Sequence, residues 1–224
     1  MRWSVLGSAS SLAIAAALAA GPASAAPPVY NWTGFYVGAD AGYGWGQSHE
    51  STDFGKWNVN GGVFGVHGGY NHQFQSFVVG FEADAMMGTV KGTSDDIFFA
   101  GKTSSMRSKM DWAGTVRVRA GVPIENFLIY GTGGVAFGDW TNRLTISGFG
   151  DVDKFKDTKF HVGWTAGVGG EYAFSPQFSA RVEYLYMDFG KERYNLGGEP
   201  MRVSEHLNLI RFGLTYRFAP PPPP

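Results

Sequence analysis

The chain has 224 residues, of which 33 are glycine, 16% are aromatic and only 17% are charged. The absence of cysteine excludes disulfides and thiolate metal sites, and a formal charge of −1 gives no electrostatic basis for binding nucleic acid. High glycine and aromatic contents together favour strands over helical bundles.

The first 25 residues have the pattern of a secretory signal peptide. Arg2 supplies a positive charge, residues 12–21 form an apolar run, and Ala-Ser-Ala at 23–25 offers small residues for cleavage. The alternative is an N-terminal membrane anchor, but the run is shorter than the ~20 residues that a spanning helix needs. Residues 26–31 are predicted to form an extended, proline-containing lead-in.

Eight stretches alternate between two kinds of side chain, which predicts extended strands with two distinct faces. In 110–123, for example, Val116 and Val118 alternate with Arg117 and Arg119. In a soluble sheet the apolar face is the core, whereas in an outer-membrane barrel it contacts lipid and the arginines point inward. The stretch 127–140 is apolar on both faces, so its orientation stays open. The eight stretches are 32–46, 60–74, 77–88, 110–123, 127–140, 160–174, 178–190 and 206–218.

The connections between these stretches alternate in length. Short ones at 75–76, 123–126 and 175–177 separate long ones at 47–59, 89–109, 141–159 and 191–205. Short turns at one rim and long loops at the other are typical of outer-membrane barrels, although a soluble β-sandwich can also have long loops. Most stretches run well beyond the usual soluble strand of about 5–6 residues, and aromatic residues gather near their ends. Residues 32–218 are therefore predicted to form an all-β, eight-stranded antiparallel up-and-down transmembrane β-barrel.

The polar faces of these strands carry acids and arginines that a narrow barrel would bring together. A lone buried ion is costly, so these side chains are expected to pair, with His67 as a further member of the network. The predicted interior ion-pair network consists of Asp40, Glu82, Asp84, Asp111, Arg117, Arg119, Glu171, Arg181, Glu183, Arg211 and Arg217.

Five segments, at 31–46, 130–138, 163–175, 182–190 and 210–218, resemble the small alphaproteobacterial outer-membrane β-barrel proteins, which are described as porin-family proteins or surface antigens. These belong with the OmpA/OmpX-like eight-stranded barrels. The resemblance implies that Tyr216 and Phe218, at the end of the last strand, are read by the barrel-assembly machinery. This chain departs from that pattern in residues 219–224, which are predicted to be a polyproline II tail in the periplasm.

No chemistry-bearing motif emerges from the sequence. The glycines show no phosphate-loop context, and the five histidines show no metal-ligand spacing. Ser204 and His206 form a possible local pair, but no orienting carboxylate stands at a defined spacing. We therefore predict no catalytic site, cofactor or metal.

The expected function is that of a structural protein of the bacterial outer membrane, which supports the envelope and displays surface loops. Outer-membrane lipid and lipopolysaccharide are its expected partners. The alternatives are a small porin-like channel, or an adhesin or haem-binding surface that acts through Ile97, Phe98 and Phe99; these three could instead cover the barrel mouth or extend a hairpin. The basic residues expected to face lipopolysaccharide phosphates are Lys91, Lys102, Arg107, Lys109, Arg143, Lys154, Lys156 and Lys159.

Overall fold

The computed structural model describes residues 30–50, 56–99, 102–148, 151–196 and 199–218. The predicted signal peptide, most of the lead-in and the proline-rich tail lie outside the described residues. The strands are β1 (Gly34–Glu50), β2 (Lys56–Gln73), β3 (Val78–Gly88), β4 (Lys91–Thr93), β5 (Ile97–Phe99), β6 (Lys102–Ile124), β7 (Phe127–Gly148), β8 (Asp151–Ala173), β9 (Phe178–Leu196) and β10 (Glu199–Arg217).

The strands form a closed antiparallel ring. Each long strand pairs with its neighbours in sequence, and β1 pairs with both β2 and β10, which closes the sheet. The short β4 continues the line of β3, because it also lies between β2 and β6, and β5 extends the edge of β6. The ring therefore has eight members, which confirms the predicted eight-stranded barrel. No helix among the described residues is long and apolar enough to cross a membrane.

One rim of the ring has short turns and also carries both ends of the barrel. The turns there follow β2, β6 and β8, at 74–77, 125–126 and 174–177. By the rule for bacterial barrels this is the periplasmic rim.

At the other rim, the connections predicted to be long loops are largely strand, so that prediction was wrong. The pairing of β6 with β7 continues to Lys102↔Gly148, and that of β7 with β8 continues to Gly148↔Asp151. The strands continue because the alternation of apolar and polar side chains does not stop at the edge of the bilayer. Beyond that edge the polar side chains point outward and the apolar ones inward.

The outer surface near the periplasmic rim is an apolar band. On β1 it runs over the outward side chains from Phe35 to Trp45, and the next outward residues are Gln47 and His49. Those eleven positions match the ~9–11 residues that a tilted strand needs to cross a bilayer. Exposed members of the band on other strands include Phe64, Val66, Phe81, Val116, Val118, Val135, Val162, Val168, Phe212 and Leu214.

Above the band the side-chain pattern inverts. On β10 the outward residues change from Ile210 to Asn208 and His206, while the inward residues change from Arg211 to Leu209 and Leu207. This half of the barrel has water outside and an apolar core inside, like a soluble fold. Its core consists of Trp57, Val59, Val63, Met86, Val90, Met106, Met110, Ala113, Ala136, Trp140, Leu144, Leu185, Met187, Phe189, Val203, Leu207 and Leu209.

The orientation of β7, which the sequence leaves open, is shown by a small apolar cluster at the periplasmic rim. Leu128 and Tyr130 point inward and are buried with Trp32 and Val78, whereas Ile129 is exposed on the band. Both faces of this segment are apolar because one contacts lipid and the other plugs the base of the barrel.

Candidate functional site

Between the basal cluster and the upper core lies a layer of buried charge. Arg117 and Arg119 on β6 are 1% and 2% exposed, while their neighbours Val116 and Val118 are 53% and 61% exposed. The alternation in 110–123 therefore directs its arginines into the barrel.

Arg117 lies at the centre of the layer and contacts three carboxylates. Its guanidinium donates to Asp84 Oδ2 at 2.8 Å, to Glu183 Oε1 at 3.1 Å and to Glu82. Arg211 binds two of the same acids from the opposite wall, with Nη2 at 2.6 Å from Glu183 Oε2 and Nη1 at 3.3 Å from Asp84 Oδ1. These contacts join β3, β6, β9 and β10 across the interior.

Arg181 connects this centre to β1. It donates to both oxygens of Asp40, each at 3.0 Å, and to Glu82 Oε2 at 2.7 Å. His67 contacts the same Asp40 carboxylate at 2.8 Å through Nδ1 and lies 3.0 Å from Thr215 Oγ1 through Nε2. The bidentate fork of arginine suits this crowded arrangement.

The lower part of the layer is built around Glu171. Arg119 donates to it at 2.9 Å, and Arg217 approaches it at 3.5 Å. Each guanidinium also lies over an aromatic ring, Arg119 at 3.9 Å from the Tyr130 centroid and Arg217 at 4.7 Å from that of Trp32. The charged layer is thereby packed directly onto the basal cluster.

A glycine makes room for these long side chains. A Cβ at Gly213 would lie 2.2 Å from Asp40 Oδ1 and 3.0 Å from Arg181 Cγ. The inward position of β10 between Arg211 and Thr215 therefore has space only for hydrogen, and the Asp40–Arg181 pair occupies the remaining volume.

Asp111 does not belong to this layer, and its predicted place there was wrong. The register between β6 and β7 shifts between Met110 and Trp112, so Asp111 is an extra residue in the ladder. Its carboxylate faces outward, where Lys109 and Thr141 donate to it at 2.7 and 2.6 Å. The alternation in 110–123 also predicts Met110 on the outer face with Val116 and Val118, but the bulge places it in the upper core instead. The layer is left with five arginines and five carboxylates in mutual contact.

Sequence reasoning missed a buried acid outside the charged layer, Glu205. It is fully buried, and its oxygens accept hydrogen bonds from Ser48, from Ser108 at 3.3 Å and from Asn142 at 3.4 Å. It ends the stretch 191–205 that was interpreted as a loop, although the inward alternation Val203, Glu205, Leu207 continues through it.

Glu205 lies above the apolar band, where no cationic side chain pairs with it among the described residues. Its cross-strand partner Ser48 follows Trp45, the last member of the band on β1. Burial raises the pKa of the Glu205 carboxyl to about 8, and the hydrogen bonds from Ser48, Asn142 and Ser108 oppose that rise only in part. This carboxyl is therefore held as the neutral acid at neutral pH.

The other candidate residues lie apart from both sites. Tyr216 and Phe218 are on the lipid-facing surface at the periplasmic rim. Phe98, on β5, is 75% exposed, so this segment extends a hairpin. Ser204 and His206 are on the outer side of β10, and no hydrogen bond joins them in the described part of the chain. The described residues contain no group of three or more histidine, aspartate or glutamate side chains that could hold a metal ion.

A closed eight-membered ring with an apolar outer band and a charged interior defines a transmembrane β-barrel of the outer membrane. A family model described as "Outer membrane protein beta-barrel domain" matches residues 13–218. The chain belongs to this family, and it is a protein of the bacterial outer membrane.

Two relatives and one solved structure agree with this assignment. The 31 kDa outer-membrane immunogenic protein of Brucella melitensis biotype 1 is 32% identical over 212 residues, which cover 88% of each chain. The 22 kDa outer membrane protein of Rhizobium leguminosarum bv. viciae is 31% identical over 192 residues, covering 85% of this chain and 80% of that one. The crystal structure of OprG from Pseudomonas aeruginosa has a TM-score of 0.50 at 17% identity, covers 84% of this chain and 98% of that chain, and shows the fold alone.

Removing Arg117 tests the charged layer. The Arg117→Met variant leaves the buried carboxylates Glu82, Asp84 and Glu183 short of one positive charge that Arg211 alone does not balance, so we expect the free energy of unfolding to fall by about 3–5 kcal/mol. Urea unfolding in lipid vesicles, followed by tryptophan fluorescence, measures this. The control is Lys109→Met, which breaks an exposed pair and is expected to change the same quantity by about 1 kcal/mol or less. Equal losses in the two variants would contradict the proposed network.

Stability should also depend on the protonation of Glu205. Its pKa is raised in the folded barrel, so its contribution is fully present below the ordinary value of 4.5 and is lost as pH rises to about 8. Over that interval wild type should lose about 1.4 kcal/mol per pH unit relative to Glu205→Gln. Urea titrations at several pH values check this, with exposed Asp153→Asn as the control that keeps the wild-type slope. A Glu205→Gln variant with an unchanged slope would refute the assignment.

Proposed function

We propose that the chain is a filled, non-conducting barrel that supports the outer membrane mechanically and displays an extracellular surface. The observation that carries this proposal is the continuous packing of the interior. Trp32 at the base, Arg117 in the charged layer and Trp140 in the upper core are each 0–1% exposed. An eight-stranded barrel is narrow enough for side chains to fill it completely.

The charged layer also supports a structural role. Its ion pairs join strands that are distant in the chain, and each arginine bridges at least two structural elements. A layer of this kind holds the ring in shape, and it leaves no open route for solutes. We assign no reaction to the barrel.

The last strand supports a role for Tyr216 and Phe218 as the signal read by the assembly machinery. The two rings lie 5.2 Å apart at the periplasmic end of β10. The backbone N–H of Phe218 donates to Phe35 O at 3.0 Å, so the same residues also complete the seam between the last and the first strand. A signal at this position is available until the barrel closes.

Conductance tests the filled interior. Folded protein, verified by its heat-dependent shift in gel mobility, is expected to give no steady channels in a planar bilayer, because three packed layers block the axis. Detergent alone serves as the blank and a large porin as the positive control. Stable, solute-permeable conductance from the purified barrel would overturn the proposal.

A loop-mediated binding role is the second candidate, and the exposure of Phe98 favours it. A phenyl ring with three quarters of its surface in water offers a contact for a host surface or for haem. The Phe98→Ser variant is expected to lose most of the cell adhesion or haem binding that wild type shows. The matched control is Thr103→Ser, the cross-strand neighbour of Phe98. Full binding by Phe98→Ser, or no binding by wild type, would exclude this role.

A further inference from the structure

The outward face of the barrel wall above the apolar band carries rows of basic side chains across four strands. One row consists of Thr93, Arg107, Arg143 and Lys156, which are successive cross-strand partners on β4, β6, β7 and β8. The next row towards the membrane consists of Lys91, Lys109, Thr141 and Thr158, again on the same four strands. Lys154 lies in the row beyond, opposite Thr145.

This arrangement is unfavourable for the isolated protein. Like charges placed directly opposite each other destabilise a sheet, and Arg107, Arg143 and Lys156 are three in succession. None of these three forms an ion pair with an acid in the part of the chain that the structure describes. In the neighbouring row, by contrast, Lys109 pairs with Asp111 at 2.7 Å. A polyanion that binds here would remove the repulsion.

The same side chains surround a hollow with the donors that a phosphate needs. It has a volume of about 220 Å³ and is lined by Arg107, Lys109, Thr141 and Arg143. The two guanidinium forks of Arg107 and Arg143 suit the tetrahedral oxygens of phosphate, whereas the Lys109 ammonium and the Thr141 hydroxyl at the lower edge donate to Asp111. The two threonines at the lower edge are already joined, with Thr141 Oγ1 at 2.8 Å from Thr158 Oγ1.

The height of the hollow points to a membrane lipid as the source of that phosphate. The aromatic row of Trp112 and Phe160, which marks the top of the apolar band, lies directly below, with Asp139 between them. Each two-residue step along a tilted strand rises by ~5 Å, so the two basic rows lie ~5 and ~10 Å above those rings. The headgroup region of a bilayer covers this range beyond the hydrocarbon.

We propose that this basic patch, formed by Lys91, Arg107, Lys109, Arg143, Lys154 and Lys156, binds the lipid A phosphates of lipopolysaccharide in the outer leaflet. The acids near it are few: Asp111 pairs with Lys109, Asp139 accepts a hydrogen bond from Trp112, and Asp95 and Asp96 lie in the turn beyond β4. The bound phosphates take the place of acidic cross-strand partners.

The structure narrows the set of basic residues that the sequence suggested. Lys159 lies opposite the buried Trp140 and pairs with Asp157 at 3.6 Å, so it is on the other face of β8. Lys102 alternates with the outward Thr103 and also falls on the other face. Neutralising Lys102 and Lys159 removes as much charge as neutralising two residues of the basic patch, but it leaves the patch itself unchanged.

The test uses the full barrel in detergent micelles, titrated with purified bisphosphorylated lipid A. The Arg107→Gln/Arg143→Gln variant is expected to bind at least tenfold more weakly than wild type, whereas Lys102→Gln/Lys159→Gln stays within twofold. Fully dephosphorylated lipid A is expected to bind wild type as weakly as it binds the arginine variant. The proposal would be overturned if the two double variants bound lipid A equally, or if wild type bound dephosphorylated lipid A as tightly as the bisphosphorylated form.

A second measurement separates this site from general attraction to anions. Without lipid A, the arginine variant should resist heat-induced unfolding to a higher temperature than wild type, because the opposed charges are gone. Lipid A should raise the wild-type midpoint only, and inorganic phosphate should raise neither. Equal protection by inorganic phosphate or by a soluble sulfated polysaccharide would reassign the site and reject lipid A. The inference rests on the outer-membrane location and not on the filled interior, so a conducting barrel would leave it standing.

Discussion

The whole structure depends on backbone hydrogen bonds in a solvent that offers none. In the hydrocarbon of a bilayer every N–H and C=O of a spanning strand needs a partner within the protein, which an open sheet edge cannot provide. The pairing of β1 with β10, from Tyr36↔Arg217 to Glu50↔Val203, supplies that partner and closes the ring. Closure with eight strands then fixes how wide the interior is, and therefore what it can contain.

The charged layer follows from this narrow interior. Side chains that point inward within the band have no water to solvate them fully, so charge is tolerated only where it is balanced. Five arginines and five carboxylates meet this condition, and the displacement of Asp111 to the outer surface maintains it. Above the band water reaches the outer wall, and the β8–β9 ladder has already ended at Trp164↔Asp188. The strands there need no internal charge and pack Met106, Trp140 and Leu207 instead.

The sequence predicted the ring and most of its faces because a period of two assigns both faces at once. Val118 and Arg119 can be placed without a structure, since only one arrangement suits lipid. Asp111 could not be placed, because a bulge adds one residue and leaves no clear mark in the sequence. Glu205 was missed for a different reason. Its inward neighbours Val203 and Leu207 are apolar, as in a soluble protein, which is the reverse of the pattern expected for a strand in the membrane. The sequence around them therefore predicts a loop.

The continuation of the ladder above the membrane has a consequence for anything that recognises this protein from outside. Arg107, Arg143 and Lys156 come from three strands of the chain, yet they lie side by side as successive cross-strand partners. A peptide copied from any single segment lacks the neighbours that define this face. Molecules selected against short fragments therefore meet a different surface from the one that the intact cell exposes.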